Sequence, residues 1–199
     1  MSQTPDKHGF LTRFIHAGLA IAVIVQLLTS LVLVPLSPTE APNAYFYVHN
    51  YSGLTAFALI VLFWIVVMTR KSGTRPGLLF PWFSGAGIRA FWQDLILHLR
   101  MLTKFRLPPM QEDSPFASAV HGLGLLLMLA MATSGTIYYF INSGNPDAGG
   151  LVGFVIFIHL SLANLVWAYL IGHSAMAVVH HYSQNLSLTE MWSFRRGVR

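Results

Sequence analysis

Four histidines, His16, His49, His159 and His173, each stand a short way inside a long apolar segment. An ionisable side chain at such a depth is costly and by default marks function. His159 and His173 lie fourteen residues apart within the stretch Phe154 to Tyr182. On an α-helix that spacing gives a rise of about 21 Å and an angular offset of about 40°. One helix face then carries two imidazoles, one near each leaflet of a bilayer, and can serve two metal centres stacked across it. His16 and His49 belong to two other segments and can supply the opposing ligands. Neutral imidazole ligates haem iron well once its second nitrogen is satisfied. The pattern implies two haems, each held by two histidines.

The elements that must position these residues are membrane helices. The chain has 199 residues, is 54% hydrophobic and 10% charged, and has a mean hydropathy of +0.57. Soluble domains carry about 25% charged residues. The runs Phe14–Leu36, Tyr45–Met68, Phe116–Ile141 and Leu151–Val179 are each long enough to cross about 30 Å of hydrocarbon. They predict helices over about 14–36, 45–68, 116–141 and 151–181 within a single domain, 1–199: an all-α, integral membrane four-helix bundle. The first run follows Lys7 and Arg13 but is too long for a signal h-region and has no A-x-A-like site before Pro35, so it reads as a retained helix.

The connection Thr69–Ser114 is long. Within it "GIRAFWQDLILHLRMLT" spaces Ile88, Phe91, Trp92, Leu95, Leu99 and Leu102 as one helical face, with Arg89, Asp94, His98 and Arg100 interrupting. That predicts an amphipathic helix on the membrane surface, in contact with lipid. Pro108 and Pro109 end it, and Ser114–Pro115 supply an N-cap and first-turn proline for the third span. "SPTEAPN" and "INSGNPDAGG" read as turn-rich loops.

The twelve Lys and Arg are Lys7, Arg13, Arg70, Lys71, Arg75, Arg89, Arg100, Lys104, Arg106, Arg195, Arg196 and Arg199. All lie in the two termini or in the second connection, and Ser37–Ala44 and Asn142–Gly150 carry none. With four spans these basic segments share one face. The positive-inside rule makes that face cytoplasmic, with both termini inside. The basic balance is thus topological, and no stacking or phosphate-binding motif points to nucleic acid.

Topology then pairs the histidines by depth. The first helix runs outward with His16 near its inner start. The second and fourth enter from outside, which puts His49 and His159 near the outer face and His173 nearer the cytoplasm. The pairs are His16 with His173 and His49 with His159. A zinc or copper site would gather its ligands at one depth. The chain has no cysteine, which excludes thioether haem attachment, iron–sulfur ligation, thiolate zinc and disulfides. The haems would be non-covalent, b-type.

Other polar residues compete for roles. His121 starts the third span on the cytoplasmic side and rivals His16 or His173 as a ligand. His8 reads as a solvated tail residue and His98 as interfacial. His180 and His181 lie about 10–12 Å beyond His173 along a helix. At the inner interface they suit a propionate, a quinone carbonyl or a proton path better than iron, and with Arg13 and Tyr182 they form a candidate quinone site. Arg13, Arg70 and Lys71 can pair with inner propionates, and Tyr45, Tyr47, Asn50, Tyr51 or Asn145 can serve outer ones. Gly18, Gly53, Ala163 and Gly172 either clear a macrocycle or sit at helix–helix contacts. Trp64 and Trp167 read as core or lipid-facing residues.

The strings "TRFIHAG", "YVHNYSG" and "FIHLSLANLVWAYLIGHSAMAVVHHY" resemble the bacterial four-helix dihaem cytochrome b family. That family includes the cytochrome b subunits of nickel–iron hydrogenases, the gamma subunit of respiratory formate dehydrogenase, and superoxide oxidase. The resemblance covers nearly the whole chain. It implies His16, His49, His159 and His173 as the ligands, two b haems as cofactors, and electron exchange with a membrane quinone. The connection Thr69–Ser114 is longer than in superoxide oxidase and more like that of the subunit-type members.

The leading expectation is a cytochrome that passes single electrons between an outer redox partner subunit and the quinone pool. A stand-alone superoxide:quinone oxidoreductase is the second. A positive mouth would raise the encounter rate of that anion, whereas the outer loops hold Glu40 and Asp147 and no cation. A non-redox four-helix scaffold subunit is the third.

Overall fold

A computed structural model describes residues 9–70, 73–104, 106, 108, 113–142 and 149–184. Lys7, His8, Lys71, Asn145, Asp147, Arg195, Arg196 and Arg199 lie outside those residues. In chain order the helices are α1 (Phe10–Ser30), α2 (Ala44–Thr69), α3 (Pro76–Leu79), α4 (Gly85–Leu102), α5 (Pro115–Ile141) and α6 (Gly150–Gln184). A short 3₁₀ turn, Pro81–Phe83, joins α3 to α4. The apolar runs thus give four helices long enough to cross a membrane, α1, α2, α5 and α6, and the protein is a four-helix membrane bundle.

Sequence chemistry sets several helix ends. Asn43 caps α2 by accepting from Phe46 N at 3.1 Å. Ser114 caps α5 by accepting from Ala117 N at 3.2 Å, with Pro115 in the first turn. The first helix differs from the run that predicts it, starting at Phe10 and ending at Ser30. Pro35 has no N–H to donate and its ring would clash with a helical carbonyl at position 31. The apolar chain therefore continues past Ser30 without remaining helical.

Helices α1 and α2 interlock at helical spacing. Ile15, Leu19 and Ala22 of α1 meet Ala56, Ile60, Phe63 and Val67 of α2, and Leu125 of α5 and Leu79 of α3 complete the core. Ile15 and Ile60 are the largest fully buried side chains among the described residues. On the opposite side of α1, Phe14, Ile21 and Leu28 are exposed at seven-residue intervals, and Phe154, Phe157, Leu160, Leu165 and Ile171 are exposed along α6. Apolar side chains facing outward are expected of helices solvated by lipid, where packing and not water exclusion holds them together.

The α2–α5 connection does more than lie on a surface. Leu79 is buried, and its carbonyl oxygen lies 1.9 Å from where a Cβ on Gly122 would stand. Phe80 stacks on Trp64, with centroids 5.3 Å apart and planes 10° from parallel. The amphipathic helix α4 is then pinned to α5 by one carboxylate. Asp94 Oδ2 accepts from Ser114 Oγ at 2.6 Å and from Phe116 N at 3.0 Å. A carboxylate at a helix N-terminus satisfies an otherwise unpaired N–H and favours the dipole. His98 folds back on the same residue, its Nδ1 3.1 Å from Asp94 Oδ1.

Candidate metal centres

The four candidate ligands come from three helices, and the antiparallel packing of apolar spans brings them together at two depths. His16 lies in the second turn of α1 and His49 in the second turn of α2, at opposite ends of the bundle. Helix α6 carries His159 and His173. The structure brings His16 and His173 together with ring centroids 6.5 Å apart and planes at 57°. It brings His49 and His159 together at 6.4 Å and 87°. All four rings are half-buried.

These separations can be tested against haem. Iron–imidazole bonds of about 2 Å on opposite faces of one iron put two ring centroids about 6.3 Å apart. Both pairs fit that spacing. His121 approaches His173 more closely, at 5.3 Å between centroids, and its own side chain is exposed. That is too close for an iron between the two rings. Among the described residues no cluster of three or more His, Cys, Asp or Glu could hold a metal ion, so a small cation site of the zinc type has no ligand set there.

The His49–His159 pair is held by hydroxyls from helices that carry neither of its members. Thr29 Oγ1 of α1 lies 3.0 Å from His49 Nδ1 and donates its own proton to Val25 O at 2.7 Å. Gln26, one turn before Thr29, donates its amide to His49 O and to Ser52 Oγ. On α5, Ser134 Oγ lies 3.1 Å from His159 Nδ1 and donates to Met131 O at 2.9 Å. His159 Nδ1 is also 3.2 Å from Met131 O. A carbonyl oxygen only accepts, so this nitrogen carries the proton. Its lone pair is then on Nε2. Gly135 gives the ring its room, because a Cβ there would stand 2.8 Å from His159 Cε1.

At the His16–His173 pair an aromatic ring takes the neighbouring place. Tyr169, one turn before His173, is stacked on it. The phenol itself fits only because residue 124 is glycine, where a Cβ would stand 2.1 Å from the Tyr169 oxygen. Phe63 of α2 lies across His16, at 6.2 Å between centroids.

The remaining candidates divide. A Cβ on Gly18 would meet Leu59 at 3.5 Å and one on Gly53 would meet the Gln26 amide at 3.3 Å, so both serve the α1–α2 contact. Nothing lies within 4 Å of the corresponding position on Gly172, beside His173. Arg70 turns back on its own loop and donates from Nη2 to Thr74 O at 3.2 Å, against Gly73 with φ +97°. Its partial burial lowers the guanidinium's pKa. Arg13 is buried at the start of α1. His180 and His181 are half-buried and Tyr182 is exposed, all near the end of α6. By topology these three share one end of the bundle with Arg13. At the other end Tyr45, Tyr47 and Tyr51 are exposed and Asn50 is half-buried.

Sequence reasoning missed Thr29, Ser134, Gly135, Gly124 and Tyr169. Their only sequence signal is a hydroxyl or glycine inside an apolar span. The model of one protein family, described as prokaryotic cytochrome b561, matches residues 7–194. No curated protein and no solved structure matches.

Proposed function

We propose that this chain, which belongs to the prokaryotic cytochrome b561 family, is a dihaem member that carries electrons across the inner membrane to or from quinone. Membership makes it a membrane b-type cytochrome of electron transfer. The observation that carries the finer reading is the pair of imidazole couples, His16 with His173 and His49 with His159, at 6.5 and 6.4 Å. They lie at opposite ends of one bundle, at the spacing that bis-histidine iron requires.

Each haem, when bound, supplies a one-electron ferric–ferrous couple. The protein supplies the rest. His49 and His159 would hold the outer haem through Nε2, and His16 and His173 would hold the inner one. The outward apolar faces of α1 and α6 keep the sites in hydrocarbon. Among the described residues Arg13, Arg70, Arg75, Arg89, Arg100, Lys104 and Arg106 gather at the end where α1 begins and α2 ends. The positive-inside rule makes that end cytoplasmic. There Arg13, His180, His181 and Tyr182 offer donors and an aromatic ring to a quinone head group. A redox partner subunit would meet the outer end.

The test is haem stoichiometry. A pyridine haemochrome assay on purified, fully loaded protein gives close to two b haems per chain, and a redox titration resolves two components. A value near one, or none, overturns the dihaem reading.

A further inference from the structure

Two of the buried polar side chains, Thr29 on α1 and Ser134 on α5, stand directly against the proposed ligands. Both are buried in mostly apolar spans, with 7% of each residue's surface accessible. Each hydroxyl lies against Nδ1 of one histidine of the outer pair, at 3.0 Å for Thr29 and His49 and 3.1 Å for Ser134 and His159. Each has a carbonyl of its own helix to take its single proton, Val25 O for Thr29 and Met131 O for Ser134. A hydroxyl whose proton is so engaged offers its neighbour only lone pairs. The proton between hydroxyl and imidazole then sits on Nδ1 in both cases. Met131 O, the second acceptor on His159, enforces the same assignment. Met131 O fixes that tautomer for His159, and the Thr29 hydroxyl, with its proton on Val25 O, favours the same one for His49.

We propose that Thr29 and Ser134 are positioning residues that hold His49 and His159 with Nε2 free for iron and lower the outer haem's reduction potential. The proposal rests on the dihaem reading above. Its physical basis is the outer-shell bond. A hydrogen bond accepted from Nδ1–H raises the basicity of the ligating nitrogen and orients the ring. A more basic ligand stabilises ferric over ferrous iron, so the couple becomes harder to reduce. Gly135 belongs to the same device, since only a residue without a Cβ lets the His159 ring lie against α5 where Ser134 and Met131 O can reach it.

The experiment is an optical redox titration of holoprotein carrying Thr29→Val, Ser134→Ala or both. Thr29→Ser serves as the conservative control, and haem content is measured on every sample. Thr29→Val and Ser134→Ala each keep two haems and move one component upward in potential. The double variant moves it further, and Thr29→Ser stays at the wild-type value. The component that moves is the one that His49→Ala deletes. Unchanged potentials in both single variants with two haems bound overturn the proposal, as does movement of the component that His173→Ala deletes. Should Thr29→Val lose the outer haem, Thr29→Ser decides: retention at wild-type potential supports the hydroxyl's role, and loss there too refutes it. Wild-type protein with fewer than two components would instead overturn the dihaem reading, before any variant is measured.

Discussion

Tyr169 lies flat against His173, with ring centroids 5.5 Å apart and planes 10° from parallel. Gly124 on the facing helix makes that stack possible. Gly124→Ala would drive a methyl into the phenol, and overpacking of this kind costs about 1–3 kcal/mol. The expected outcome is a lower melting temperature and an altered spectrum of the inner haem alone. Tyr169→Phe keeps the ring and should keep both. Absorbance spectra and thermal melts in detergent check the contrast.

The four proposed ligands should fail in pairs. His49→Ala or His159→Ala removes the outer haem and leaves the inner one, and His16→Ala or His173→Ala does the reverse. His121→Ala retains two haems, because its ring is exposed and too near His173 for a shared iron. Haem counting with redox titration reads all five variants. Loss of a haem in His121→Ala with two retained in His16→Ala would reassign the inner pair.

Much of this was open to sequence reasoning and part was not. Apolar length and the basic segments indicate four spans and which ends lie together, and two histidines on one face of α6 indicate two depths. The second connection was legible only as an amphipathic face. That Leu79 and Phe80 tuck against α5 and Trp64 depends on Gly122, and a lone glycine in an apolar helix has many uses. Thr29 and Ser134 stand 20 and 25 residues from the histidines they meet. In a span, a single hydroxyl most simply bonds its own preceding turn, as both also do here. Only the register of neighbouring helices reveals the second bond.

A bulky residue at position 135 should separate site from fold. Gly135→Leu places carbon where His159 Cε1 already lies, so the outer haem should be lost while the inner one stays. Gly172→Leu meets nothing within 4 Å of its Cβ in the protein itself. The bundle should tolerate it, and a loss of inner haem with unchanged helicity would mean that this position clears the macrocycle. Circular dichroism with haem content distinguishes the cases.

Asp94 is expected to act on stability. Asp94→Ala withdraws the acceptor from Ser114 Oγ and Phe116 N at the start of α5. A lost cap of this kind costs about 1 kcal/mol. The melting temperature should fall while both haem potentials stay fixed. A shift in potential instead would tie α4 to the redox centres.

The quinone reading predicts a kinetic phenotype. His180→Ala and Tyr182→Phe should keep two haems but slow quinone-dependent haem oxidation about fivefold, the worth of one lost hydrogen bond of roughly 1 kcal/mol. Stopped-flow absorbance measures it. Wild-type rates and apparent quinone affinity in both would move the site away from this end.

The two histidines of α6 stand almost evenly about the helix's midpoint, nine residues after Gly150 and eleven before Gln184. With a haem at each, an electron passing between them travels about 21 Å of roughly 30 Å of hydrocarbon. It therefore senses about two-thirds of any voltage across the membrane. A charge moved through the whole voltage is worth about 2.3 kcal/mol per 100 mV, so this step is worth about 1.6 kcal/mol. The distribution of one electron between the two haems would shift roughly fifteenfold for each 100 mV, making an energised membrane itself a determinant of which haem is reduced.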